Sequence, residues 1–239
     1  MSFLKAEWRK LALVNFDIDP KVIQPYLPAG TELDLWQGRC YVSLVGFMFL
    51  DTQVLGIRVP MHVNFEEVNL RFYVKREFRG ETRRGVVFIK EIVPKSAITF
   101  IANTIYKEHY QTLPMRHTWE THPTGRSVTY RWKVAGGWQS FSLEAAKNPE
   151  PIAEGYETEF ITEHYWGYSQ INQQRSVEYE VTHPRWEHYP VLGTDIQVDF
   201  GATYGPNFAF LNQITPTSVM LAEGSSITVE KRTLFSAIQ

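Results

Sequence analysis

The sequence is poor in cysteine. One residue, Cys40, among 239 excludes an internal disulfide and any metal site built on cysteine pairs. No apolar run approaches the roughly 18 residues of a membrane span. The opening MSFLKAEWRKLALVNF sets Lys5, Glu7, Arg9 and Lys10 among its apolar residues, where a secretory signal would carry an unbroken apolar core. Neither sign of charge is in excess. Lys+Arg 24 against Asp+Glu 26 leaves a net charge of -2, so there is no basic surface for a nucleic-acid backbone and no polybasic tract for anionic lipid. Nucleic-acid and membrane partners are therefore not expected, and a cytoplasmic location is. There is also no repeat, low-complexity tract or Gly/Ser linker, which predicts one domain over residues 1–239. No serine stands in a Gly-x-Ser-x-Gly elbow and no Gly-rich phosphate loop follows a strand. The histidine pairs His117/His122 and His183/His188 lack the spacing of metal ligands. Neither a metal nor a cofactor is expected.

Aromatic residues are plentiful: 15 Phe, 12 Tyr and 7 Trp, a composition that suits β-structure. RCYVSLVGFMFL (39–50) is almost continuously apolar and reads as a strand covered on both faces. EVNLRFYVKREF alternates cleanly. Val68, Leu70, Phe72 and Val74 fall on one side, and Glu67, Asn69, Arg71, Tyr73 and Lys75 on the other. GVVFIKEIV, YWGYSQI, RSVEYEVTH and SSITVEKRTLF are further strand patterns. SVTYRWKV and WQSFSLEA form a hairpin across Ala135–Gly136–Gly137. Helical patterns are fewer. FDIDPKVIQPYLPAG predicts a short helix capped by Asp19. A second short helix is read near Tyr156 to Thr162. The clearest runs from about Ser96 to Tyr110, with Ala97, Ile98, Ile101, Ala102 and Ile105 on one stripe expected to lie on the sheet. The class is α+β, dominated by an antiparallel sheet; strand patterns alone leave sandwich and barrel open.

Several phrases together resemble domain of unknown function family 2071. They are DPKVIQPYLPAGTELDLWQGRCYVSLVGFMF, EVNLRFYV, RGVVFIKEIVP, the helix leading to YKEHYQTLPM, and PTSVMLAEGSSITV. That family is similar in fold to acetoacetate decarboxylase. The resemblance implies a closed antiparallel, cone-like β-barrel with a few packed helices and a small-molecule pocket. In the decarboxylase a Pro-Lys-Lys corner supplies a Schiff-base lysine, and the second lysine lowers the pKa of the first. The matching corner here reads Pro94-Lys95-Ser96. Ser96 stands where the second cation would be, which leaves desolvation alone to activate Lys95.

Candidate site residues follow from that frame. Lys95 is read as a nucleophile or as a corner charge; a lysine at a helix start is disfavoured by the helix dipole, which hints at another role. Glu91 is opposite in facing to Lys90 and is read as a general base or as the partner of Arg71 in an ion pair. If the sheet closes, Val68, Leu70 and Phe72 are expected to pack under the helix from Ser96, leaving Arg71, Asn69 and Tyr73 to face a barrel lumen, where Arg71 suits a carboxylate. Tyr106 and His109 continue the inner side of the long helix. The implied partner is a small-molecule ligand, with homo-oligomerisation left open. Three functions compete: an enzyme acting on a carbonyl or carboxylate compound, a metabolite-binding protein, and a structural protein with a filled barrel. A polar-lined void of roughly 300 Å³ or more would favour the first two.

Overall fold

The computed structural model describes residues 2–236. Its frame is a set of long strands that follow the alternation in the sequence. β1 (Leu4–Asp17), a two-residue β2 (Glu32–Leu33), β3 (Tyr41–Val54), β4 (Phe65–Phe78) and β5 (Glu81–Val93) come first. β1, β3, β4 and β5 are consecutive antiparallel neighbours. After β5 the chain makes helix α1 (Ser96–Ile101), continued by a π-type turn at Ala102–Tyr106, and returns as β6 (Tyr110–Thr112), parallel to β5. β7 (Met115–His122), β8 (Gly125–Val134), β9 (Gly137–Ala146), β10 (Glu150–Pro151) and helix α2 (Glu157–Thr162) follow. The last third holds β11 (Trp166–Gln170), β12 (Arg175–Thr182), β13 (Glu187–Tyr189), β14 (Val191–Gln197), helix α3 (Phe200–Tyr204), β15 (Ser218–Val229) and β16 (Thr233–Ser236). Among the described residues no helix is long and apolar enough to cross a membrane.

The large sheet runs β10-β13-β15-β1-β3-β4-β5-β11-β12-β16, with β2 on β4 and β6 on β5. β12 also pairs with β15 through Val181↔Val229 and Thr182↔Thr228. A smaller antiparallel sheet, β14-β9-β8-β7, covers one face of the large one. Val68, Leu70, Phe72 and Val74 of β4 pack there with Val128, Tyr130, Trp132, Phe141 and Leu143 of β8 and β9. The sheets meet so closely at Gly46 that a Cβ would lie 2.5 Å from the Tyr130 ring, so glycine is needed there. The opposite face carries Leu11, Leu13, Val45, Phe47, Phe49 and Phe65, closed at one side by Phe160 and Ile161 of α2.

Three expectations are corrected. The apolar face of β4 lies against the second sheet and not under α1. The 19–30 segment makes two 3₁₀ turns, Pro20–Val22 and Gln24–Tyr26, although Asp19 does cap the first through Lys21 N–H at 2.9 Å. The helix from Ser96 ends at Tyr106, with Lys107 left-handed at φ 61°. The cause is local. The Asn103 side chain bonds both backbone groups of Tyr110, at 2.9 and 2.8 Å, and so draws the chain back on itself. Ala97 is exposed, and Ile98, Ile101 and Ile105 are half-buried.

Candidate functional site

Two bulges aim side chains at the inner face of the large sheet. In β1 the register shifts at Lys10, whose φ is 59°, and this turns both Trp8 and Leu11 inward. In β5 the register shifts beside Ile89. Asn69 stands opposite Glu91 and Arg71 opposite Phe88, so Phe88 and Glu91 share the inner side. The face encloses a cavity of about 130 Å³, room for about four waters. That is below the roughly 300 Å³ expected of an ordinary ligand site, so volume alone sides with a filled barrel, and only the polar groups of the wall favour a ligand. Most of the wall is apolar, including Trp8, Phe47, Phe49, Phe65, Ile98 and Ile101.

The polar part of the wall is acidic. Glu67, Glu91 and Glu108 all line the cavity and are all buried. Asn69 Nδ2 donates to Glu67 Oε1 and the Tyr110 hydroxyl to Glu67 Oε2, each at 2.9 Å. The Tyr179 hydroxyl donates to Glu108 Oε1 at 2.8 Å. Among the described residues Glu91 Oε2 and Glu108 Oε2 are buried with no hydrogen-bond partner. Burial pushes the Glu67 carboxyl up to about 7, against the opposing pull of Asn69, Tyr110 and Arg71. Burial likewise raises Glu108 to about 8. Glu91 is raised well above the ordinary range by burial and then by the charges of Glu108 and Glu67. Three carboxyls buried in one wall favour their protonated forms more than solvent-exposed ones do. Among the described residues Arg71 is the one cation in the wall. Its Nη2 reaches the Ile161 carbonyl at 3.4 Å and its Nε is buried without a partner.

The model of domain of unknown function family 2071, described as an uncharacterised conserved protein, matches residues 5–226. The chain belongs to this family. A curated relative, the uncharacterised protein YqjF of Bacillus subtilis (strain 168), is 26% identical over 72 residues; the match spans 30% of this chain and 30% of that protein's length. Solved structures similar to this family member share its fold. An acetoacetate decarboxylase-like enzyme from Sphingomonas wittichii RW1 has a TM-score of 0.66 at 11% identity, covering 99% of this chain and 94% of that one. Acetoacetate decarboxylase from Legionella pneumophila (subsp. pneumophila str. Philadelphia 1) has a TM-score of 0.65 at 10% identity, covering 97% and 86%. The enduracididine biosynthesis enzyme MppR, complexed with pyruvate, has a TM-score of 0.65 at 12% identity, covering 100% and 93%. The acetoacetate-decarboxylase-like fold, mostly β with few helices, is thus established for this member of family 2071. Identities this low carry fold alone.

Within this member of the family, the residues singled out from sequence divide. Asn69, Arg71, Glu91 and Tyr106 line the cavity; the Tyr106 hydroxyl donates to the Glu230 carbonyl at 3.1 Å. Tyr73 is on the inner side but lies beyond the cavity wall, hydrogen-bonded to Ser43 at 2.7 Å between hydroxyls and packed on Phe160 and His164. Lys95 does not line the cavity. It caps α1 half-buried, and its charge falls on Glu66, which also meets His117 at 3.4 Å. Glu66 and Glu67 are neighbours on a strand and so face opposite ways; Lys95 belongs to the Glu66 side. His109 is exposed, because Lys107 breaks the helical periodicity that would have turned it inward. Among the described residues Arg71 forms no ion pair with Glu91. Glu67, Glu108, Tyr110, Tyr179 and His164 were missed as site residues. The alternation Glu67–Asn69–Arg71 carried a signal for the first; the others depend on tertiary placement.

Proposed function

We propose that the large sheet closes as a cone-like barrel, and that its lumen binds a small carbonyl-containing carboxylate and moves a proton on it. Closure is supported by the two pairings of β12 with β15, which return the strand path to β15 after β1, β3, β4, β5 and β11. One observation carries the chemistry. Buried, proton-holding Glu67, Glu91 and Glu108 share a wall with Arg71, whose Nε lacks a partner. Arg71 anchors the carboxylate. A carboxylate from the acidic group takes the α-proton while a protonated neighbour gives its proton to the carbonyl oxygen. One C–H bond breaks, one O–H bond forms, and the product is the enol. The complex of the fold neighbour MppR with pyruvate makes keto acids the first compounds to try. Schiff-base chemistry is not part of this reading, since among the described residues no lysine lines the cavity.

The test is exchange of the α-hydrogens of pyruvate and 2-oxobutanoate in D₂O, followed by proton NMR. Exchange above the buffer rate that disappears in Glu67→Gln is expected. A second reading, binding without catalysis, is favoured by a wall that among the described residues carries no Lys, Ser or Cys. Ligand-induced rise in melting temperature with no exchange would select it.

A further inference from the structure

Away from the acidic wall, the cavity touches a second polar group that the chemistry above does not use. His164 lies between α2 and β11 and lines the cavity. Its side chain is 1% exposed. Nε2 stands 3.1 Å from Asp34 Oδ2, and Arg84 Nε donates to the same oxygen at 2.6 Å. Asp34 is itself fixed by its backbone N–H, which donates to the Tyr73 carbonyl at 3.0 Å. Tyr73 and Phe160 hold the imidazole ring at centroid distances of 4.8 and 5.1 Å. Burial works against the Asp34 charge, but the hydrogen bonds from His164 and Arg84 prevail and hold its carboxyl below the ordinary value. Asp34 is therefore an acceptor, and the ring hydrogen sits on Nε2. Nδ1 is left as a bare lone pair. It is buried and has no partner among the described residues. Burial also lowers the imidazole to about 4, which keeps it neutral.

Arg71 adjoins this group. Its Nη2 meets the carbonyl of Ile161, three residues before His164, and its charge is felt by the imidazole. A buried donor on Arg71 and a buried acceptor on His164 both lack partners in one wall, and buried polar atoms in folded proteins are seldom left so. Asp34 does not line the cavity, so its side of the ring is the supporting side.

We infer that Arg71 and His164, the latter oriented by Asp34, together recognise a carboxylate that bears a hydroxyl on the adjacent carbon: Arg71 takes the carboxylate and Nδ1 of His164 accepts a hydrogen bond from the hydroxyl. The inference rests on the reading of the cavity as a small-molecule site and names the substrate class for it, 2-hydroxy acids and the enol forms of 2-oxo acids. Asp34 is a positioning residue that selects the tautomer, and no bond is made or broken in the recognition.

The experiment compares 2-hydroxy-4-methylpentanoate with 4-methylpentanoate, which differ by the hydroxyl alone, by calorimetric titration. The intact protein is expected to bind the hydroxy acid about tenfold more tightly, the size of one matched buried hydrogen bond. His164→Gln places its amide towards Asp34 and leaves no acceptor at the Nδ1 position; the preference should vanish while 4-methylpentanoate binding persists. His164→Asn keeps an oxygen near the Nδ1 position and should retain part of the preference. In the unsubstituted protein labelled with ¹⁵N-histidine, the Nδ1 resonance of His164 should move upfield with the hydroxy acid and stay in place with its deoxy analogue. Equal affinity for the two acids, with no movement of that resonance, overturns the inference and leaves the cavity reading standing. Binding of neither acid overturns both.

Discussion

Two buried ionic clusters lie on the same pair of strands and are built on opposite plans. Towards one end of β4 and β5, Arg76 and Arg83 each place an Nη1 2.9 Å from the carboxylate of Glu178 on β12. Phe235 stacks on Arg76 and Trp166 on Arg83, at 4.0 and 4.2 Å from ring centroid to guanidinium. Both oxygens of Glu178 are used, and Arg83 also reaches Glu81 at 3.4 Å, so each charge in the cluster has a partner. Towards the other end, Glu67 and Glu91 join Glu108 in a cavity with one arginine and several polar atoms unpartnered. The first cluster is closed and joins β4, β5 and β12. The second is open and stores protons. Burial is common to both, so burial alone does not mark a site; unmatched hydrogen-bonding capacity beside empty space does.

The largest effect should come from breaking the closed cluster. Glu178→Ala strands Arg76 in the interior and is expected to cost about 3–5 kcal/mol in urea unfolding. Adding Arg76→Met should return much of that loss. If the single variant is as stable as the parent, the two clusters are not different in kind.

The open cluster should show itself in pH dependence. Glu67 and Glu108 are raised in the folded state, so the native form binds more protons than the unfolded form between about 4.5 and 7 to 8. Stability is then full below about pH 4.5 and falls as pH rises through the folded values. Glu67→Gln, which mimics the protonated acid, should remove on the order of 2–3 kcal/mol of that decline. Unfolding free energies at pH 5 and pH 9 check it; an unchanged slope would mean that Glu67 does not carry the proton.

A smaller effect is expected from Tyr179→Phe. It deletes the hydroxyl that supports Glu108 at 2.8 Å and should cost about 1–2 kcal/mol, with a further rise in the Glu108 pKa seen by ¹³C-carboxyl NMR. The smallest belongs to Lys95→Gln. Outside the cavity wall and beside Glu66, it should change stability by less than about 1 kcal/mol and leave pyruvate exchange untouched. Lost exchange in that variant would move the chemistry back to the helix corner.

The strands were legible because each face has one neighbour. Val68, Leu70 and Phe72 alternate with Glu67, Asn69 and Arg71 whatever lies above them, so the pattern survives ignorance of the partner. What covers each face was not legible: the apolar side was given to α1 and belongs to β8 and β9. Glu91 was found from its adjacency to Lys90, since a strand must separate them. Glu108 was not found, because it sits in an irregular turn whose path is set by the side chain of Asn103 reaching Tyr110. Lys95 was misplaced for a related reason. Its place along the chain matches the decarboxylase corner, but a position in sequence does not specify a side of the sheet. His164 and Asp34 are 130 residues apart, and no local pattern links them.

The short ladders around β11 and β12 have a kinetic consequence. β11 meets β5 through Trp166↔Gly85 and Gly167↔Val86, and β12 meets β15 through two residue pairs, whereas β1 and β3 are paired along most of their length. The β11–β12 hairpin carries Trp166, Gly167, Tyr179 and Val181, all in the cavity wall. Four pairs with β16 and the Glu178 ion pairs anchor one end of β12. Few ladder hydrogen bonds hold the other end of the hairpin to β5 and β15, so the amides of Trp166, Gly167, Val181 and Thr182 should exchange with deuterium earlier than those of β1, β3 and β4. A guest too large for the resting cavity would then be admitted by the opening rate of this hairpin, and its association would be gated by the protein and independent of guest concentration at saturation.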